Sequence, residues 1–382
     1  MKKAIKLFSV IMALALVALS VAACGAKDSK GVFKLGGIGP LTGDAAIYGN
    51  AAMNGVKIAI EEINALDGEI KFEFKAEDDV HDPETSVNAY NNLMDWGMQI
   101  LIGTVTSSPC AAVAAKTFED RVFTLTPSAS SPEVTAGRDN VFQVCFSDPN
   151  QGTGSADYIS ANVENAKVAI IYKNDDNYSQ GIRDTFVAKA AENGLEIVYE
   201  GTFTADTATD FSVQVTEAKT NGATVLFLPM YYQPASVILA QAATVDYKPL
   251  FFGVDGMDGI LTMEGFDATL AEGVMLLTPF SADAADEMTT SFVTKYKDAH
   301  GEIPNQFAAD GYDAVYIIYE ILKKAGCKAD MSAEEICEAL KTAITEVSVD
   351  GLTGKGMTWA ATGEVSKDPM AVVIEGGVYV TP

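Results

Sequence analysis

Between residues 31 and 121, short apolar runs alternate with longer segments whose apolar residues recur every three to four positions. GVFKLGGIG, IKFEFKAED and QILIGTV are rich in β-branched and aromatic residues and have strand character. IYGNAAMNGVKIAIEEINAL, PETSVNAYNNLMDWG and SPCAAVAAKTFEDR carry the spacing of amphipathic helices. The rhythm resumes with strand-like KVAIIYKND, LEIVYEGTF and ATVLFLPM, interleaved with helix-like YSQGIRDTFVAKAAENG, DFSVQVTEAKTNG and PASVILAQAATV. Strand and helix in repeated succession predict an α/β fold, with parallel sheets flanked by helices. The irregular stretch CFSDPNQGTG divides the two series and is the expected first crossing between two lobes. EGVMLLTPFSADAA and SVDGLTGKGMTW are expected further crossings, so each lobe is discontinuous. The expected division joins 31–148 to 281–352 in an N-terminal lobe and 149–280 to 353–382 in a C-terminal one. A chain of 382 residues exceeds one ordinary core and accommodates two.

The amino terminus breaks this rhythm. MKKAIKLFSVIMALALVALSVAAC sets Lys2, Lys3 and Lys6 before an apolar run that ends in small residues and Cys24, the layout of an export signal. Val21-Ala22-Ala23-Cys24 resembles the lipobox of bacterial lipoproteins, which implies a signal peptide over 1–23, acylation of Cys24 and a tether over 24–30. The expected location is therefore extracytoplasmic, on the outer face of the bacterial cell membrane, held by lipid. The formal net charge of −26 becomes more negative once the signal lysines are removed. A surface that acidic repels phosphate backbones and anionic lipid, so no nucleic-acid partner is expected.

Cys110 and Cys145 lie in apolar surroundings and are expected to pack as small hydrophobes. Cys327 and Cys337 bracket CKADMSAEEIC closely enough for a disulfide, an outcome that spacing alone leaves open. Neither pair has the spacing or histidine companions of a zinc site, and the acidic group Glu77, Asp78, Asp79 and Asp82 lacks that of a calcium loop. No metal or cofactor is expected.

Ligands of open α/β sheets sit where strand ends lead into helix amino termini. In IGTVTSSPCAAVAAK that junction carries Thr106, Ser107 and Ser108, with Pro109 in the first helical turn. Hydroxyls and free backbone N–H groups together suit a carboxylate or a phosphate. FTLTPSASSPEVT repeats the arrangement with Ser128, Ser130 and Ser131. Catalytic groups are lacking: His81 and His300 stand beside no G-x-S-x-G elbow, and GGIGPLTG has Thr42 where a dinucleotide fingerprint needs its last glycine. The chain is not expected to be an enzyme.

GPLTGDAAIYGNAAMNGVKIAIEEINA, DDVHDPETSV, IGTVTSS, TPSASSPEVT, YKNDDNYSQG, TDFS and FFGVDG, in this order, resemble the type I periplasmic binding proteins of branched-chain amino acid ABC transporters. The resemblance implies two Rossmann-like lobes joined by three crossovers, closing on an amino acid. It implies that Ser107 meets the α-carboxylate, that Ser128 offers its backbone, and that Ser130 touches both zwitterion groups. From the second lobe Tyr178 and Tyr231 would line the cleft and Asp255 would pair with the α-ammonium. Tyr48 and Tyr312 would border the side-chain pocket, with Val105 and Thr106 as its floor. Members of that family often have glutamate at the position of Asp255, and the Leu/Ile/Val-binding protein has a disulfide joining the positions of His81 and Thr106. The expected partners are a free amino acid, branched-chain or otherwise apolar, and the permease subunits of an ABC transporter, served by a monomer. The alternatives are a ligand sensor working with a separate receptor and an extracellular hydrolase.

Overall fold

The computed structural model describes residues 31–367 and 369–382. The expected signal peptide, the tether and Cys24 lie outside the described residues. Five parallel strands form the first sheet, in the order β2-β1-β3-β4-β5: β1 (Val32–Gly39), β2 (Lys71–Asp78), β3 (Ile100–Ile102), β4 (Phe123–Thr126) and β5 (Val141–Gln143). Helices α1 (Ala46–Ala65), α2 (Pro83–Trp96) and α3 (Ser107–Asp120) connect them. The second sheet runs β12-β11-β10-β9-β8-β6-β7. It is built from β6 (Lys167–Lys173), β7 (Glu196–Phe203), β8 (Val225–Leu228), β9 (Leu250–Gly253), β10 (Met275–Thr278), β11 (Met370–Glu375) and β12 (Val378–Val380). β11 pairs antiparallel with both β10 and β12, and the other pairs of this sheet are parallel. Helices α4 (Asp148–Asn162), α5 (Asn177–Asn193), α6 (Ser212–Thr220) and α7 (Tyr232–Thr244) belong to the second series. The chain then makes α8 (Glu287–His300), α9 (Gln306–Ala325) and α10 (Ala333–Ala343) before entering β11.

Local chemistry sets the element ends. The Asp82 carboxylate accepts from Thr85 N at 2.7 Å at the start of α2, and Asp176 does the same for Ser179 N at 3.0 Å in α5. Left-handed Gly97, Gly194 and Gly326 end α2, α5 and α9. β3, β4 and β8 are buried along their whole length, and β3 and β8 read as continuous apolar runs, as strands covered on both faces do.

Helices α1 and α9 pack backbone to backbone through glycine. A Cβ built on Gly55 would lie 1.9 Å from Ala308 O, and one on Gly311 would lie 2.2 Å from Ala52 O. Gly55→Val forces these helices apart and is expected to destabilise the protein by roughly 2 kcal/mol or more, read as a lowered thermal midpoint, because overpacking a tight contact costs about 1–3 kcal/mol.

The structure corrects three sequence-based expectations here and answers one question that spacing left open. The stretch 145–154 is not irregular throughout, since α4 begins at Asp148, with Pro149 in its first turn. The division at 352/353 is displaced: Gln143 N donates to Gly363 O at 2.9 Å and Trp359 Nε1 to Gln143 O at 2.8 Å. Residues 353–365 therefore stay with the first sheet, and the chain leaves for the second only after Val365. Cys327 and Cys337 are free thiols, both buried in the apolar core, Cys337 on the inward face of α10 with Ile336 and Leu340. They pack as hydrophobes and form no bridge. Tyr312 does not line the cleft: it is buried against α1, where its hydroxyl donates to Glu62 Oε2 at 2.6 Å beside Tyr316. Among the described residues no helix is long and apolar enough to cross a membrane.

Candidate functional site

Both sheets reverse their winding, between β1 and β3 in the first and between β6 and β8 in the second. The crevice at such a switch point is where an α/β sheet accepts a ligand. The first turns of the helices after β1 and β3 carry Tyr48 and Ser107, while the segments that follow β6, β8 and β9 carry Tyr178, Tyr231 and Asp255. These side chains meet across the cleft. Tyr48, Val105, Thr106, Ser107, Ser128 and Phe307 from the first series face Tyr178, Tyr231, Asp255 and Gly256 from the second around a cavity of about 10 Å³. Admitting a ligand of amino-acid size requires the two sides to part.

The first face is rich in donors. Thr106 occupies the N-cap position of α3, yet its side chain caps nothing. Ser107 and Ser108 follow it at the first two helical positions, and neither of their amides donates to a protein acceptor among the described residues. Pro109 has no N–H to offer. The Ser107 hydroxyl is buried and accepts from Ser131 N at 3.3 Å, which leaves its own proton free to donate. Ser128 donates its hydroxyl to Val105 O at 2.6 Å, so its backbone is what remains for a ligand.

On the opposite face Asp255 is 3% exposed and accepts from Tyr178 OH at 2.5 Å. Burial pushes its carboxyl up to about 6, against the opposing pull of the hydrogen bond from Tyr178. Tyr178 stacks on Tyr231 with centroids 4.8 Å apart, and its hydroxyl also accepts from Gly256 N at 2.9 Å. Tyr48 bridges the two faces, donating to Gly256 O and accepting from Tyr232 N at 3.1 Å. Phe307 packs on Tyr48 at 4.5 Å between centroids.

Ser130 is buried beside this cavity without lining it, and its hydroxyl oxygen has no hydrogen-bond partner among the described residues. Next to it Asp148 is fully buried with both carboxylate oxygens unpartnered, and burial pushes its carboxyl well above the usual carboxylate range. Gln151 carries an unpartnered amide nitrogen while its oxygen accepts from Asp255 N at 3.2 Å. Unpaired buried polar groups in one place mark a position for water or a polar ligand group. Sequence reading passed over Phe307, Asp148 and Gln151. Phe307 and Tyr312 lie five residues apart on one helix, about 140° around its axis, so only one of them faces the cleft.

The chain matches the family described as periplasmic binding protein over residues 32–377. It is 30% identical over 304 residues to a Leu/Ile/Val-binding protein homolog of Brucella melitensis, covering 78% of this chain and 81% of that one. A leucine-binding protein from Thermotoga maritima superposes with a TM-score of 0.82 at 26% identity, over 92% of this chain and 97% of its own. The branched-chain amino acid transporter substrate-binding protein of Streptococcus pneumoniae, solved with isoleucine, gives 0.81 at 26% identity, over 92% and 100%.

Proposed function

This chain belongs to the periplasmic binding protein family, and from that premise we propose that it captures a free amino acid, branched-chain or otherwise apolar, between its two lobes and delivers it to an ABC permease. One observation carries the reading: a donor-rich helix terminus and a buried carboxylate face each other across a single cleft. A zwitterion leaving water needs each charge answered, because an unpaired buried charge costs several kcal/mol. The Ser107 hydroxyl with the Ser107 and Ser108 amides answers the carboxylate, and Asp255 answers the ammonium. Because the partners sit on opposite lobes, the bound ligand stabilises closure. The tyrosines and Phe307 supply an apolar wall for the side chain, which suits a hydrocarbon better than a charged group. Solved relatives that hold isoleucine or leucine support the same cargo class. The signal-like run 1–23, with its lipobox-like residues leading into Cys24, supports anchoring by lipid at the outer face of the cell membrane.

The test is a thermal-shift screen of the protein from Gly25 onward against the common amino acids, followed by calorimetry on the best of them. A ligand at about 100 times its dissociation constant adds roughly 2.7 kcal/mol to stability. Ser107→Ala is expected to weaken that ligand about 10- to 100-fold, since a hydrogen bond to a charged group contributes roughly 1.5–3 kcal/mol. No shift with any amino acid, from protein shown to be folded and ligand-free, contradicts the reading.

A further inference from the structure

The second and third residues of the turn after β2, Val80 and His81, adopt positive φ of 46° and 62°. This turn aims the His81 ring into the base of the cleft. Nδ1 of His81 lies 2.9 Å from Thr106 Oγ1, and the ring stands edge-on to Tyr231 of the other lobe, with centroids 5.5 Å apart. His81 thus touches two residues that line the cavity, one on each side, without lining it itself.

The hydrogen bond matters because of where Thr106 sits. A threonine at an N-cap ordinarily turns its oxygen to the second or third amide of the helix. In α3 the third of these positions is Pro109, so the Ser108 amide is the one available to Thr106. That amide is also one of the two donors left for a ligand carboxylate. Bonded to His81, the Thr106 oxygen makes no cap at all.

We propose that His81 is a positioning residue that draws the Thr106 hydroxyl away from the amino terminus of α3 and so keeps the Ser107 and Ser108 amides free for the carboxylate of the cargo. The inference rests on the amino-acid reading above. His81 acts through Thr106, as a brake on self-capping, and its contact with Tyr231 couples this arrangement to lobe closure. Without the ring nitrogen the hydroxyl swings back, caps Ser108 and competes with the ligand.

The experiment is calorimetric titration of L-leucine into the protein from Gly25 onward and into three variants: His81→Gly, which suits the positive φ, Thr106→Val, and the pair combined. His81→Gly is expected to bind about tenfold more weakly, the scale on which a helix cap competes. Thr106→Val in the same chain is expected to restore most of that loss, because no hydroxyl remains to cap the helix. Wild-type affinity in His81→Gly, or a loss that persists undiminished in the double variant, overturns the inference and leaves the amino-acid reading standing. A role of His81 in packing alone gives that second result. If the glycine variant melts before it can be titrated, His81→Ala is carried through the same pair of titrations with the same two readings. Wild-type protein that binds neither L-leucine nor any other amino acid overturns the reading, and the inference with it.

Discussion

Asp255→Asn is expected to lower the affinity for the cognate amino acid by roughly two orders of magnitude while leaving the fold intact. Truncating one partner of a buried charge pair costs about 2–5 kcal/mol, and each 1.4 kcal/mol is tenfold. The amide retains a contact for Tyr178 OH, so the loss reports charge rather than packing. Acid has the same effect on the wild-type protein. Asp255 pairs with an ammonium only when ionised, and burial sets its carboxyl at about 6 in the ligand-free site. Affinity is therefore expected to be level above that value and to fall as pH drops below it, with the fall absent in Asp255→Asn. A titration series from pH 7.5 to pH 5 reads both. An unchanged affinity in the variant removes Asp255 from the site.

Lys367→Met is expected to be the most destabilising single change outside the cleft. Its side chain is 1% exposed, and its ammonium lies 3.3 Å from Asp310 Oδ1 and donates to Thr353 Oγ1 at 2.6 Å. Asp313, one turn along α9, accepts from Leu352 N and Thr353 N, both at 2.9 Å. This cluster fastens the last crossing to α9 just before the chain enters β11. Removing one member of a buried pair costs about 3–5 kcal/mol. Even with the ammonium beside it, burial pushes Asp310 up to about 7. A carboxyl raised above its unfolded value opposes folding once ionised, so its protonated form favours the native state in acid. Loss of Lys367 raises it further. The deficit in thermal midpoint is thus expected to be larger at pH 8 than at pH 6, and a deficit independent of pH contradicts this account of the pair.

Period and run length in the sequence marked the strands and helices, because each run's burial is local to it. The crossings were less legible. The boundary at 352/353 failed because residues 353–365 have no strong pattern of their own and are held by β5, more than 200 positions earlier in the chain. Ser107 was visible as a hydroxyl at a strand end, and Tyr178, Tyr231 and Asp255 through family resemblance, since each follows a strand at its carboxyl end. Tyr312 was misplaced and Phe307 missed for one reason: both are apolar positions on α9, and only the phase of that helix against α1 decides which faces the cleft. Ser130 was named through the resemblance, but that it and Asp148 are orphaned was illegible because partnership is a tertiary property. His81 stood beside no catalytic motif in the sequence, yet its hydrogen bond to Thr106 spans the pair of positions that the family resemblance singles out for a disulfide in a relative.

The central claim is that one cleft answers the two charges of an amino acid from opposite lobes. Calorimetry with L-leucine, its amide and 4-methylpentanoate tests it most directly, since the amide lacks the carboxylate and the acid lacks the ammonium. L-leucine is expected to bind, with each analogue weaker by roughly 100-fold or more, as expected when a buried charge loses its partner. An analogue that binds as tightly as L-leucine, or no binding of any free amino acid, contradicts the account.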